Sequence, residues 1–366
     1  MSAPRLEIDL NKIYHNAHTL VERLKAKGIS ISGVTKAFLG MPEITSTLLQ
    51  AGIHTLGDSR IENIEAMRNA AVKAPIMLIR SPMLSNIERV VRHADISLNT
   101  EMDVILKLSS AAQRMDRSHG IVLMVELGDL REGIMKEDLE SVVAELLSLP
   151  NIELKGIGTN LACRSGVSPD TNNMAELSGL ADSIETTFGI TLDIVSGGNS
   201  ANLTWALSDA DPGRVNHLRL GEALLLGCEP LHRQAISGLY TDAFTLVAEV
   251  IESKTKPSQA WGTFAQSAFD LNPTIKANQG HISQTVLAIG HQDTDPAGLK
   301  PPSGVEILGA SSDHLIVDSG HNMPIGSEIR FQPNYSALVR AMTSPFVAKV
   351  PYGENTPSDN TTSYAN

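Results

Sequence analysis

Two cysteines, Cys163 and Cys228, in 366 residues are too few and too far apart for a disulfide framework, and with no C-x-x-C pair they offer no structural zinc site. Eleven histidines show no H-E-x-x-H spacing, so a catalytic metal is not expected. No stretch reaches the roughly 18 to 20 unbroken apolar residues of a membrane helix. The opening MSAPRLEIDL has neither the basic patch nor the apolar run of a secretory signal, so the expectation is a cytoplasmic chain without a membrane partner. Positive charge is in deficit. Lys and Arg number 29 against 41 Asp and Glu, and the net charge of −12 argues against a nucleic-acid partner, although an acidic balance also serves solubility.

What is present is a repeated unit. Short β-branched runs are each followed by helical periodicity: ISISGVT then PEITSTLLQAG, HTLGDS then RIENIEAMRNAA, PIMLIR then LSNIERVVRHA, DISLNT then EMDVILKLSSAAQR. IVLMVEL, IELKGIGTN, LDIVSGG and HLRLGEALLLG continue the series to about Gly227. Eight strands alternating with helices predict a (β/α)8 TIM-type barrel over residues 11–231, with a doubly wound open sheet as the alternative. From 232 to 347 the rhythm becomes that of a mostly β domain, in FTLVAEVIESK, SQTVLAIG, VEILGASSDHLIVDS and EIRFQP, and the strand at 5–10 is expected to join it. The polar tail 351–366 is expected to be disordered.

Barrels of this type place chemistry at the C-terminal strand ends. That is where Lys36, Arg131, Asn160, Asn199, Ser200 and Arg219 fall. Any one of them alone reads as a solvated loop residue; six at one rim read as a site. In SGGNSAN, residues 196–202, two glycines lead into Asn199 and Ser200 at a helix start, which suits a phosphate, or equally a plain N-cap turn. A lysine facing a phosphate site points to pyridoxal phosphate.

With GVTKAFLG, LMVELGDLREGI, GIGTNLAC, SGGNSANL, HLRLGEALLLG, LAIGHQDTDPAGL, EILGASSDHLIVD and NYSALVRAMTSPFV, the chain resembles the alanine racemase superfamily, and within it the ornithine racemase, or alanine racemase-like, group. The resemblance implies a pyridoxal 5'-phosphate-dependent amino-acid racemase working as a homodimer whose subunits share each active site. It implies Lys36 as the lysine that carries the cofactor and one of two acid-base groups, Ser200 with Asn199 at the phosphate, Arg219 at the pyridine nitrogen, and Asn160 and Tyr335 lining the cofactor. Arg131 and Asp313 fall on the substrate side. Departures from the alanine racemase pattern are Gly40, four residues after the lysine where the family has tyrosine, Asn160 in GIGTN where the family has a histidine against the cofactor ring, and GHQD in place of GYAD, which offers His291 as the second acid-base group. A basic substrate such as ornithine needs an anionic or carbonyl partner for its side-chain ammonium, with Asp58, Glu222, Asp242, Asp293 and Asp295 as candidates. Alanine or broad-specificity racemisation, decarboxylation with Glu222 at the ring nitrogen, and a non-catalytic role in managing cofactor supply are the alternatives.

Overall fold

The computed structural model describes residues 3–266, 269 and 280–353. It divides into two compact units, residues 11–241 and residues 1–10 with 242–366.

After β1 (Arg5–Asp9) comes α1 (Leu10–Lys25), whose buried Leu10, Ile13, Ala17, Leu20 and Leu24 recur at the helical spacing of one apolar stripe. The strands β2 (Ser30–Val34), β3 (Thr55–Asp58), β4 (Ile76–Leu78), β5 (Ile96–Asn99), β6 (His119–Met124), β7 (Ile152–Gly158), β8 (Ile194–Gly198) and β9 (His217–Leu220) then close in chain order into an all-parallel barrel. Between them run α2 (Pro42–Gln50), α3 (Ile61–Asn69), α4 (Ile87–His93), α5 (Met102–Arg114), α6 (Leu139–Leu147), α7 (Thr171–Phe188) and the short α8 (Leu203–Ala206), and α9 (Glu222–Leu226) follows β9. Helices outside and side chains within leave the strands little solvent; every residue of β6 is buried. Met77, Leu98, Val122 and Met124 form one cluster with Ile79, Ile96 and Ile194 packed against it. Since β6 and β8 are not neighbours, only the inner face can bring these residues together, and strand alternation then puts Ser196 on the inner face with Ile194.

The second unit is a mostly antiparallel sheet, with β10 (Phe244–Pro257), β11 (His281–Leu287), β12 (Leu299–Lys300), β13 (Glu306–Ala310), β14 (Leu315–Asp318), β15 (Glu328–Pro333), α10 (Tyr335–Thr343) and β16 (Ala348–Tyr352). Its order is β12-β15-β10-β11-β14-β13. β1 adds to it, antiparallel to β10 and parallel to β16. A register break between Val250 and Glu252 marks where β10 comes under β11.

Two boundaries differ from the sequence-based expectation. The barrel unit runs to Thr241 rather than 231, because Ile236 N bonds Gly227 O at 2.8 Å and the Asn16 amide of α1 grips Tyr240, donating to its carbonyl at 2.8 Å and accepting from its N–H at 2.7 Å. The β unit continues past 347, and Pro351 and Tyr352 of the expected tail pair with Ile8 and Asp9 as strand. The rest of that tail, from residue 354, lies outside the described residues. No described helix is long and apolar enough to cross a membrane.

Candidate active site

Lys36 follows β2 on a single 3-10 turn, Lys36–Phe38, that closes through Leu39 in the left-handed region. Its neighbour Thr35 is buried and donates to Asp58 Oδ2 at 2.6 Å; Asp58 Oδ1 accepts from Arg60 N at 2.8 Å and Asn63 Nδ2 at 3.1 Å. Asp58 therefore anchors the lysine turn and the start of α3. Lys36 is exposed as a residue, yet its ammonium sits among enough protein that desolvation holds its pKa below the ordinary lysine value. Cys163 opposes that shift, Arg131 adds to it, and Asp58 and Arg219 follow with smaller effects of opposite sign.

Arg219 is 4% exposed and points along the inner face of the barrel. Its Nη1 donates to Ser196 Oγ and its Nη2 to Thr159 O at 2.8 Å and, longer, to Asn160 Oδ1 at 3.4 Å. Every one of these partners is neutral. Burial of a guanidinium that no carboxylate pairs pulls its pKa down to about 10. Asn160 Oδ1 also accepts from Asn199 Nδ2 at 3.2 Å, so two donors fix which end of the Asn160 amide is oxygen, and its Nδ2 is buried with no partner among the described residues. Such a donor needs an acceptor that the polypeptide does not supply.

Asn199 caps the 3-10 turn Ser200–Asn202 by accepting from Ala201 N at 2.8 Å, and its Nδ2 reaches Leu161 O at 2.9 Å across the β7 loop. Gly198, at φ 141° and with a Cβ position 2.3 Å from Asn202 Oδ1, is a place where only glycine fits. Ser200 is 4% exposed; its Oγ accepts from Gly221 N at 3.4 Å and Ala223 N at 3.3 Å, which leaves the hydroxyl proton for another acceptor. The capping turn and the anion-suited donor are both present, so neither sequence reading excludes the other.

Arg131, exposed at the end of the β6 loop, pairs with Glu132 through Nε and Nη2. Its loop is held by a residue the sequence reading missed. Asp129, 1% exposed, accepts from the backbone N–H of Cys163 at 3.2 Å, Arg164 at 3.0 Å and Ser165 at 3.0 Å, and so ties the β6 loop to the β7 loop. Leu39, Leu130 and Ala162, three of the seven described non-glycine residues at positive φ, sit in these same loops beside Lys36, Arg131 and Asn160. Strain of this kind gathers where side chains must be aimed. The barrel rim thus brings together Lys36, Arg131, Asn160, Asn199, Ser200 and Arg219.

His291 and Asp313 belong to the β unit, on two loops in close register: His291 N bonds Ser311 O at 3.0 Å and Gln292 N bonds Ser312 O at 2.9 Å. Gly290 permits this, since its Cβ position lies 2.4 Å from Asp313 N. The His291 ring stacks on Phe269 at 4.2 Å between centroids and 22° between planes. Asp313 is exposed and accepts from His314 Nδ1 at 3.0 Å. Tyr335 opens α10 next to Ser336, whose hydroxyl donates to Asp295 Oδ2 at 2.6 Å. Asp293 is buried and accepts from Ser344 Oγ at 2.9 Å, and Glu222 is paired with Arg233. Among the described residues no three His, Cys, Asp or Glu side chains are grouped to hold a metal.

Comparisons with known proteins meet on the same fold and motifs. The model of the alanine racemase N-terminal domain matches residues 8–229. Ornithine racemase of Acetoanaerobium sticklandii is 38% identical over 351 residues, covering 94% of this chain and 99% of that one. Lysine racemase of Thermotoga maritima is 39% identical over 354 residues, covering 96% and 99%. The crystal structure of alanine racemase from D-cycloserine-producing Streptomyces lavendulae superposes with a TM-score of 0.75 at 17% identity, over 96% of this chain and 98% of that one. A domain match across the whole barrel, near-full-length relatives well above 30% identity and a shared barrel-plus-β architecture place the chain in the alanine racemase family.

Proposed function

We propose that this protein is a pyridoxal-phosphate-dependent amino-acid racemase whose substrate is ornithine or a related basic amino acid. The observation that carries the chemistry is the rim itself: a lysine of depressed pKa, a buried guanidinium and a buried amide donor that, among the described residues, have only neutral partners and no partner respectively. These groups fit a planar, anionic carbonyl compound. The basic substrate rests on the two near-full-length relatives, named for ornithine and lysine.

When bound, pyridoxal phosphate supplies the electron-accepting ring that makes the Cα proton removable. Lys36 would hold it at the carbonyl carbon, the Ser200 hydroxyl proton would serve the phosphate, and Asn160 Nδ2 would serve a ring substituent. Arg219 would donate a hydrogen bond at the ring nitrogen without giving up its proton, since even a pKa of about 10 leaves it charged at neutral pH. By keeping its proton, Arg219 would leave the ring a milder electron sink, which favours moving a proton over losing carbon dioxide. Lys36, whose ammonium burial makes easier to deprotonate than that of an ordinary lysine, takes or returns the proton on one face. His291, contributed by a second copy of the chain in a homodimer, serves the other face, with Arg131 and Asp313 on the substrate side and Tyr335 against the cofactor. Glu222, the residue a decarboxylase reading would use, is already paired with Arg233.

The test incubates the holoenzyme with each pure enantiomer of ornithine, lysine and alanine in deuterated water and follows inversion by chiral chromatography and deuterium at Cα by mass spectrometry. Ornithine or lysine should invert with one deuteron gained, Lys36→Ala should abolish both, and borohydride should fix the cofactor on Lys36. Inversion of alanine alone would overturn the basic substrate, and release of carbon dioxide without inversion would overturn racemisation.

A further inference from the structure

The inner face of the barrel is apolar toward β4, β5 and β6 and polar toward β8, β9 and β2. On the polar side one hydrogen-bond chain is unbroken. Ser32 Oγ lies 2.8 Å from His217 Nε2, His217 Nδ1 lies 2.9 Å from Ser196 Oγ, and Ser196 Oγ receives Arg219 Nη1. No member of the chain is more than 5% exposed. The positions of the protons follow from what each buried group must satisfy. Arginine can only donate, so Ser196 accepts from it. Ser196 has a second lone pair that could accept from His217 as well, but its own buried proton would then lack an acceptor; with His217 Nδ1 accepting it, the imidazole is neutral, carries its proton on Nε2 and donates to Ser32. Burial, with Arg219 close by, pushes the His217 pKa down to about 3 and agrees with a neutral ring.

The hydrogen-bond chain crosses three of the strands that carry the rim. Ser32 lies on β2 four residues before Lys36, Ser196 on β8 four residues before Ser200, and His217 on β9 two residues before Arg219. Strand pairing puts Ser32 beside Arg219 and Ser196 beside His217. We infer that His217 is a positioning residue: through Ser196 its neutral imidazole aims the Arg219 guanidinium at the ring nitrogen of the cofactor, and it pins β2, β8 and β9 in the register that Lys36, Ser200 and Arg219 need. The physical reason is the hydroxyl rotor. With Nδ1 taking its proton, Ser196 turns a lone pair toward Arg219; without it the hydroxyl turns freely and a long, rotamer-rich side chain loses its preset aim. The inference rests on the reading of Arg219 as the partner of the ring nitrogen.

The experiment compares apo-protein variants for their affinity for pyridoxal phosphate and for the analogue in which carbon replaces the ring nitrogen. Asparagine places an acceptor near the Nδ1 position, glutamine near Nε2. His217→Asn should keep the parent's preference for pyridoxal phosphate over the carbon analogue. His217→Gln and His217→Leu should reduce that preference on the order of tenfold, as should Arg219→Leu. If Arg219→Leu lowers the preference while His217→Gln and His217→Leu keep it, the positioning role is overturned and the ring-nitrogen reading stands. If Arg219→Leu leaves the preference intact, the ring-nitrogen reading itself fails. Should the leucine variant not fold, the asparagine and glutamine pair still decides. Nitrogen NMR of labelled histidine in the parent apo-protein should give the Nε2–H tautomer from pH 8 to 5; the Nδ1–H tautomer would overturn the chain of protons.

Discussion

Two buried histidines should make the apo-protein lose stability as the pH falls below about 6.5. His217 is held neutral on the inner face of the barrel, and His119 is 1% exposed on β6, where its Nε2 meets Ser97 Oγ at 2.8 Å. Burial lowers the His119 pKa to about 4 and the His217 pKa to about 3. Unfolding releases both rings to an ordinary value of about 6.5. Below that value the unfolded chain binds protons that the folded chain refuses, so stability, intact above about pH 6.5, falls as pH drops, and it keeps falling until each folded pKa is reached. At pH 5 each ring costs about 2 kcal/mol, and the pair about 4 kcal/mol, of a total in the range of about 5–15 kcal/mol. His93, also depressed by burial, adds in the same direction. Carboxylates held low by arginine or lysine, such as Glu252 at about 2, contribute below this window. Urea unfolding of a Trp261→Phe protein at pH 7.5, 6 and 5 isolates the barrel, because Trp205, 6% exposed, is then the sole tryptophan of the chain. The midpoint should drop steeply between pH 6.5 and 5 at constant slope m, and His119→Gln should remove about half of that drop while lowering stability at pH 7.5. A flat profile from pH 7.5 to 5, or one that neither His119→Gln nor His217→Asn alters, would refute the assignment of buried neutral rings.

Two further outcomes follow from the loops. Asp129→Ala should destabilise by at least about 2 kcal/mol, since three backbone N–H groups lose their acceptor, and should raise KM more than it lowers kcat as Arg131 loses its support; denaturation and steady-state kinetics check both, and an unchanged KM would detach Arg131 from the substrate. Glu222→Gln breaks only the pair with Arg233, so the ratio of inverted product to released carbon dioxide should not move, and a shift in that ratio would give Glu222 a role at the ring nitrogen.

What the sequence determined by itself is what short-range pattern can carry. Strand and helix alternate locally, so eight β-branched runs with helical spacing between them predict the barrel, and the position of Lys36, Arg131, Asn160 and Ser200 past strand ends, with Arg219 near the end of the last strand, predicts their common rim, because parallel strands in a barrel all point their C-terminal ends the same way. Membership of β1 in the β sheet was legible for the same reason: RLEIDL is a strand that the barrel count leaves over. Tertiary structure alone decided the rest. β16 was missed because VAKVPY is short, contains proline, and finds its partner at residues 5–9. Residues 232–241 stay with the barrel because Asn16 grips Tyr240 over 224 positions of chain. Asp58 and Asp129 look in sequence like surface acids, and each turns out to cap a loop beside a site residue. His217 and Ser196 read as unremarked strand positions until closure of the barrel sets β9 between β8 and β2. A hydrogen bond between residues 21 or 185 positions apart depends on which strands become neighbours and which faces turn inward, and no local pattern encodes that choice.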